Sequence, residues 1–206
     1  MEKSGKNKSL VILGSLLFIA GLTLMGYKVY NYVSEKEKID AAIEEYYEEE
    51  KQPEIINPVE ETKPEPAKEQ TGTSYDYIAI LRIPKINLKR GLVAKNSRYN
   101  NIKYNVMIHS ESDSPDDEGG NVILVAHSGS ASMSYFRYLY KLNLGDKVYL
   151  DYNNKTYAYK IINQYDIEKT GQASIRKNTR KSSITLITCR TGTNKQIVLI
   201  GELIAQ

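Results

Sequence analysis

The chain has 206 residues, with 28 Lys/Arg against 25 Asp/Glu for a net charge of +3, one cysteine, two histidines, 17 tyrosines and no tryptophan. A single cysteine excludes an internal disulfide and leaves a thiol to account for. The mild basic balance comes without any nucleic-acid recognition motif, so nucleic acid is not an expected partner.

In chain order, the first feature is "SLVILGSLLFIAGLTLMGY", Ser9 to Tyr27, which contains no charged residue. Extended to Val33, it can cross a hydrocarbon core of roughly 30 Å at about 1.5 Å per residue. It is apolar all round, unlike the one-sided stripe of a soluble helix. Lys3, Lys6 and Lys8 precede it and favour a cytoplasmic N-terminus. The run is longer than the apolar core of a signal peptide, and "GYKVYNYV" makes a poor cleavage site, so a retained anchor is expected. The expected organisation is a cytoplasmic end (1–8), a transmembrane anchor (9–33), a spacer (34–73) and a folded domain (74–206).

The spacer, "SEKEKIDAAIEEYYEEEKQPEIINPVEETKPEPAKEQ", carries 13 acidic and 5 basic residues. Its first half is compatible with a continuing helix. From Pro53 the Pro/Glu/Lys mixture cannot bury enough apolar surface to fold and reads as an extended stalk. Residues 71–206 then hold a charge of about +8, suited to an anionic cell envelope. A domain of this size can build its own core.

Within it, "YDYIAILRI" alternates and stops at Pro84, as a strand does. "INLKRGLV" and "NVMIH" read as short strands. "NVILVAH", between "DEGG" and "SGSAS", reads as a buried strand bounded by turns. "YFRYLYKLNLGD" sets Phe136, Leu139, Tyr140 and Leu142 at helical spacing, with Gly145 as the stop. "KVYLDYNNKTYAYKIINQYDI" is a hairpin turning at Asn153-Asn154, and "ITLITCRTGTNKQIVLIGELI" supplies two more strands. Many short strands with few helices predict a mainly β fold, a closed barrel of about eight strands with short helices behind one transmembrane helix. The tyrosines, many alternating along strands, are expected to form amphipathic barrel wall.

Cys189 ends one of the last strands. A nucleophilic thiol needs a neighbouring cation to favour the thiolate and a group that delivers a proton to the leaving amine. Only His109 and His127 are imidazoles, each at a strand end, where a structural role is the commoner one. From spacing alone, Cys189 and the histidines read more readily as packing residues than as catalytic ones.

"TLITC", Thr185 to Cys189, resembles the TLxTC signature of the sortases, membrane-anchored cysteine transpeptidases of Gram-positive bacteria. "ILRIPKINL" resembles the early family strand with its I-P-x-I core. "GGNVILVAHSG" resembles the strand that delivers the family's histidine, and "YFRYLYKLNLGDKVYL" the segment after it. The similarity runs from Tyr75 to Leu203. It implies a sortase-type barrel outside the cell, with Cys189 as nucleophile and acyl-thioester carrier and His127 as general acid/base. The implied substrates are secreted proteins with a C-terminal LPxTG-like sorting signal. The implied acceptors are amines of peptidoglycan or a pilin lysine, the absence of an obvious lid motif leaning towards the wall. No metal or organic cofactor is implied.

The family's third residue is an arginine before the last apolar strand, where this chain has Gln196. Gln196 can donate a neutral hydrogen bond to a developing oxyanion, the role such donors play. Arg190 and then Lys195 are the other candidates, although alternation sets residue 190 opposite to 189. Glu111, Asp113, Asp116, Asp117 and Glu118 crowd one loop, but their spacing is not that of a closed calcium loop and reads as an Asp/Pro/Gly turn. "DIEKTGQASIRKNTRKSSI" occupies the position of the family's substrate-covering loop. Two further readings stay open: a non-catalytic barrel that binds extended peptide, and a cysteine peptidase without transfer.

Overall fold

The computed structural model describes residues 4–51, 75–169 and 181–206, in two compact units, Met1–Ala41 and Ala42–Gln206. The stalk from Pro53 and residues 170–180 of the long polar loop lie outside the described residues. Helix α1 spans Ser4–Glu49. Its apolar side chains, among them Leu10, Phe18 and Met25, are exposed on all sides, and it is long and apolar enough to cross a membrane.

The helix does not end with the apolar run. Its last two turns carry Ile43, Tyr46 and Tyr47 at i, i+3 and i+4, with Glu50 one position beyond, a helical face. Ile43 and Tyr46 are buried. The Tyr47 hydroxyl donates to Asp151 Oδ2 at 2.5 Å. That of Tyr46 donates to Glu50 Oε1 at 2.5 Å, which also accepts the Asn154 N–H at 2.8 Å. The beginning of the acidic segment is therefore structural, packed on the hairpin that follows.

Eight strands follow: β1 Tyr77–Ile83, β2 Leu88–Val93, β3 Met107–Ile108, β4 Asn121–Val125, β5 Lys147–Tyr152, β6 Lys155–Glu168, β7 Ser183–Cys189 and β8 Lys195–Ala205. They form one sheet in the order β2-β1-β5-β6-β8-β7-β4-β3. Its two end strands, β2 and β3, come into contact, so the sheet curls into a nearly closed barrel. Every neighbouring pair is antiparallel except β4 and β7. Alternate residues point inward and make one core, including Val122 and Leu124 of β4, Ile184 and Leu186 of β7, and Ile197 and Leu199 of β8.

The β5–β6 hairpin turns through Asn153 (φ 49°) and Asn154 (φ 58°), the left-handed pair that a two-residue turn demands. The expected helix after β4 is a single 3-10 turn, Leu139–Lys141. Phe136, Leu139 and Leu142 are buried and Tyr140 is exposed, so the spacing that counts there is three, the 3-10 period. Tyr157 and Tyr159 lie wholly inside the core, whereas Tyr138 and Tyr140 face solvent. The acidic loop is held as a turn. Asp113 accepts the Asn121 N–H at 2.9 Å and Asp117 the Ser114 N–H at 2.8 Å. Asp116 accepts from the Tyr157 hydroxyl and from Asn153.

Candidate active site

The parallel pairing of β4 and β7 builds the site. Its register runs from Asn121 opposite Ser183 to Val125 opposite Ile187. The Ala126 N–H continues it to Ile187 O at 3.3 Å, and the Thr188 hydroxyl donates to Ala126 O at 2.6 Å. One further step sets His127 opposite Cys189. In a parallel pair, in-register side chains share a face, so this register, carried two residues past its last pair, puts Cys189 and His127 on one face. His127 is exposed and Cys189 half-buried. Beyond them the Thr191 hydroxyl donates to Ser128 O at 3.4 Å, and the Phe136 N–H donates to His127 O at 3.0 Å. The backbone on both sides of the pair is thus tied.

β8 supplies the other neighbour. Cys189 pairs with Gln196. The adjacent pair is joined by the Arg190 N–H to Lys195 O bond of 2.9 Å, which makes Cys189–Gln196 the non-hydrogen-bonded kind, with Cα atoms about 4.5 Å apart and side chains close. The same bond shows that the ladder continues past Cys189, so Arg190 takes the opposite face. There its guanidinium holds Asp166 Oδ1 through Nε (3.1 Å) and Nη2 (2.7 Å). Lys195, cross-strand from Arg190 and exposed, shares that face. Of the three candidates for the family's arginine position, only Gln196 lies on the face of Cys189.

His109 lies elsewhere. Its N–H bonds Ile123 O at 2.9 Å, four residues before His127 on β4 and therefore about 13 Å away along the strand. Its Nδ1 accepts the Glu111 N–H at 3.2 Å, a turn-forming bond. Among the described residues no group of three or more His, Cys, Asp or Glu is placed to hold a metal ion.

A cavity of about 460 Å³ adjoins the nucleophile position. Its lining includes Thr188, Cys189 and Arg190 together with Ser128, Arg137 and Tyr138. Neither His127 nor Gln196 lines it. Arg137 braces the loop after His127, donating from Nε to Gly129 O at 2.8 Å and from Nη2 to Ala131 O at 3.0 Å. Sequence reasoning passed over Thr188, Asp166 and Arg137. Only pairing partners in space reveal them, because no local pattern distinguishes a rim arginine from a solvated one.

A cysteine and a histidine presented together, with a neutral amide donor beside the thiol and a cavity adjoining, can carry nucleophilic acyl transfer. Comparison with known proteins agrees with that chemistry. The family profile described as Sortase domain matches residues 81–204. A Listeria monocytogenes protein named Sortase A is 36% identical over 86 residues, covering 41% of this chain and 38% of that protein. A Bacillus anthracis protein of the same name is 27% identical, covering 97% of this chain and 96% of the other. The aligned stretch thus spans well under half of the Listeria protein and nearly all of the Bacillus one. Among solved structures, sortase C1 of group B Streptococcus (GBS) pilus island 1 superposes with a TM-score of 0.58 at 21% identity, covering 64% of this chain and 66% of that one. At that identity the superposition speaks for the barrel alone. With the profile spanning most of the barrel, the chain belongs to the sortase family, whose members are cysteine transpeptidases.

Proposed function

We propose that the chain is a membrane-anchored transpeptidase that cuts an LPxTG-like sorting signal near the C-terminus of secreted proteins and joins the new carboxyl end to an amine of the cell wall or of a pilin lysine. α1 anchors it with the N-terminus in the cytoplasm and the barrel outside, the sense favoured by Lys3, Lys6 and Lys8. Cys189, reacting as the thiolate, attacks the scissile carbonyl, and the Gln196 amide donates to the oxygen as it gains charge. His127 gives a proton to the departing amine, leaving a thioester on Cys189. An incoming amine then attacks the thioester carbonyl; the C–N bond forms, the C–S bond breaks, and His127 takes the amine's proton. A thioester keeps the reactivity of the cleaved bond, so an amine in place competes with water.

The observation that supports this reading is the parallel β4–β7 register, whose last pair, Val125 opposite Ile187, lies two residues before His127 on one strand and Cys189 on the other, while His109 lies against Ile123. The test is a library of sorting-motif peptides incubated with the full chain, with and without an amine acceptor. The expected result is cleavage of a subset of peptides and a shift of product from free acid to amide when the amine is added. Cleavage with only acid product at every acceptor concentration would reduce the chain to a peptidase, and peptide binding without cleavage to a receptor.

A further inference from the structure

The second half of the proposed reaction needs room for an amine on the side of Cys189 that the acyl chain does not fill. Cys189 and Gln196 face outward from the barrel, whereas Thr188 and Ile197 belong to its inner face. The 460 Å³ cavity is lined by Cys189 together with Thr188 and Ile197. It therefore sits at the barrel's open end, beside the segment that follows His127, with Cys189 in its lining. Its volume falls in the range of about 300–1,000 Å³ usual for small-ligand sites.

Two arginines line it, and they differ in how their charge is met. Arg190 spends Nε and Nη2 on Asp166, so its charge is balanced. Arg137 spends Nε and one Nη2 hydrogen on the uncharged carbonyls of Gly129 and Ala131. Among the described residues no carboxylate pairs with it. Two bonds leave three of the five donors of a guanidinium unspent. A half-buried, loop-braced cation with free donors, in a cavity also lined by Ser128 and Thr191, is built to receive an anion. A guanidinium takes carboxylate or phosphate in planar, bidentate form, and the carboxylate is the one that an amino-acid or peptide amine carries.

We propose that this cavity is the acceptor subsite and that Arg137 is a specificity-determining residue, selecting amines that carry a free carboxylate, as amino acids and short peptides do. The inference rests on the transpeptidase reading of Cys189. The sorting signal is cut inside a chain and brings no terminal carboxylate to the scissile bond, whereas an amino-acid or peptide acceptor does. The chemistry is unchanged: the acceptor nitrogen bonds the acyl carbon, the Cys189 thiolate departs, and the proton goes to His127. Arg137 fixes the acceptor by its carboxylate.

The experiment compares glycylglycine with glycylglycinamide as acceptors for the full chain, at equal concentrations of unprotonated amine, using a sorting-motif peptide that it cleaves. The wild-type chain is expected to prefer the carboxylate by about 10-fold in kcat/KM for acceptor, the scale of one charge-assisted contact. Arg137→Gln should bring the ratio to near one, transfer to glycylglycine falling about 10-fold further than transfer to glycylglycinamide or hydrolysis, and Arg137→Lys should restore part of the preference. No preference in the wild type, a preference that survives Arg137→Gln, or an equal loss on both acceptors and on hydrolysis overturns the proposal. Calorimetry of glycylglycine with the resting chain gives a readout free of turnover. Binding weakened at least fivefold by Arg137→Gln is expected, and equal binding overturns the subsite. Arg137-dependent binding without peptide cleavage would keep the subsite and sink the transpeptidase reading.

Discussion

In the proposed mechanism Gln196 is the oxyanion donor, and replacing it by alanine isolates what that donor contributes. In a fully buried site, loss of one oxyanion donor costs about 2.7–4 kcal/mol, or 10²–10³ in kcat. Gln196 is half-buried and uncharged, and hydrogen bonds from neutral donors are about half as strong as charge-assisted ones. The expected loss for Gln196→Ala is therefore about 1.5–2 kcal/mol, a 10–30-fold fall in kcat at 1.36 kcal/mol per decade. Because the donor acts on the developing oxyanion, KM for the sorting peptide should change little. Gln196→Arg, restoring charge on the face of Cys189, should raise kcat above wild type. Arg190→Ala should cost less than threefold, since that guanidinium is bound to Asp166 on the other face. The assay is steady-state cleavage of a fluorogenic sorting peptide. A wild-type rate in Gln196→Ala, or a larger loss in Arg190→Ala, would refute the placement of the donor.

Other perturbations test the remaining parts. His127→Ala should lower kcat/KM by about 10²–10⁴, the usual worth of a positioned acid/base, while His109→Ala stays within threefold; equal losses would mean the wrong imidazole. Asp151→Asn should destabilise the barrel. Burial raises the Asp151 carboxyl, but hydrogen bonds from Arg82, Tyr47 and Thr156 outweigh it and hold the group below the usual carboxylate range. Arg82 is about one-third exposed, which discounts the ion pair, so a loss of about 2 kcal/mol is expected, or about 4–8 °C in Tm for a domain of this size. A depressed carboxyl stabilises above its unfolded value and loses that contribution as pH falls through its folded one, so the Tm gap between wild type and Asp151→Asn should close as pH drops below about 4. A gap that is constant from pH 7 to 3 would contradict it. Gly91→Ala would set a Cβ 2.2 Å from the Tyr77 ring; a Tm loss worth about 1–3 kcal/mol is expected, smaller when Tyr77 is also changed to Ser.

Much of the barrel was legible because period-two runs and turn residues are local signals. "NVILVAH" and "TLITC" each close on a polar residue at a strand end, and the positive φ of Asn153 and Asn154 follows from residue type. The pairing of β4 with β7 was not legible, since parallel partners some sixty residues apart leave no mark in either strand. Only the family resemblance joined His127 to Cys189. Helical spacing misled at Phe136–Leu142 because periods of 3.0 and 3.6 cannot be separated over two turns. At the end of α1 the charge count hid a helical face: Ile43, Tyr46 and Tyr47 sit among glutamates that suggested only solvation. Opposite faces for Cys189 and Arg190 followed from alternation, but whether the ladder persisted through "CRTG" required the Arg190–Lys195 bond.

The central claim is that Cys189 carries the acyl group and that its strand neighbour His127 moves the protons. Intact-mass measurement of the full chain, quenched in acid within a single turnover of a cleaved sorting peptide, tests it most directly. A mass increase equal to the N-terminal peptide fragment, mapped to Cys189, released by hydroxylamine, absent in Cys189→Ala and slow to form in His127→Ala, is the expected result. Cleavage with no adduct at any quench time, or an adduct that persists in Cys189→Ala, would contradict it.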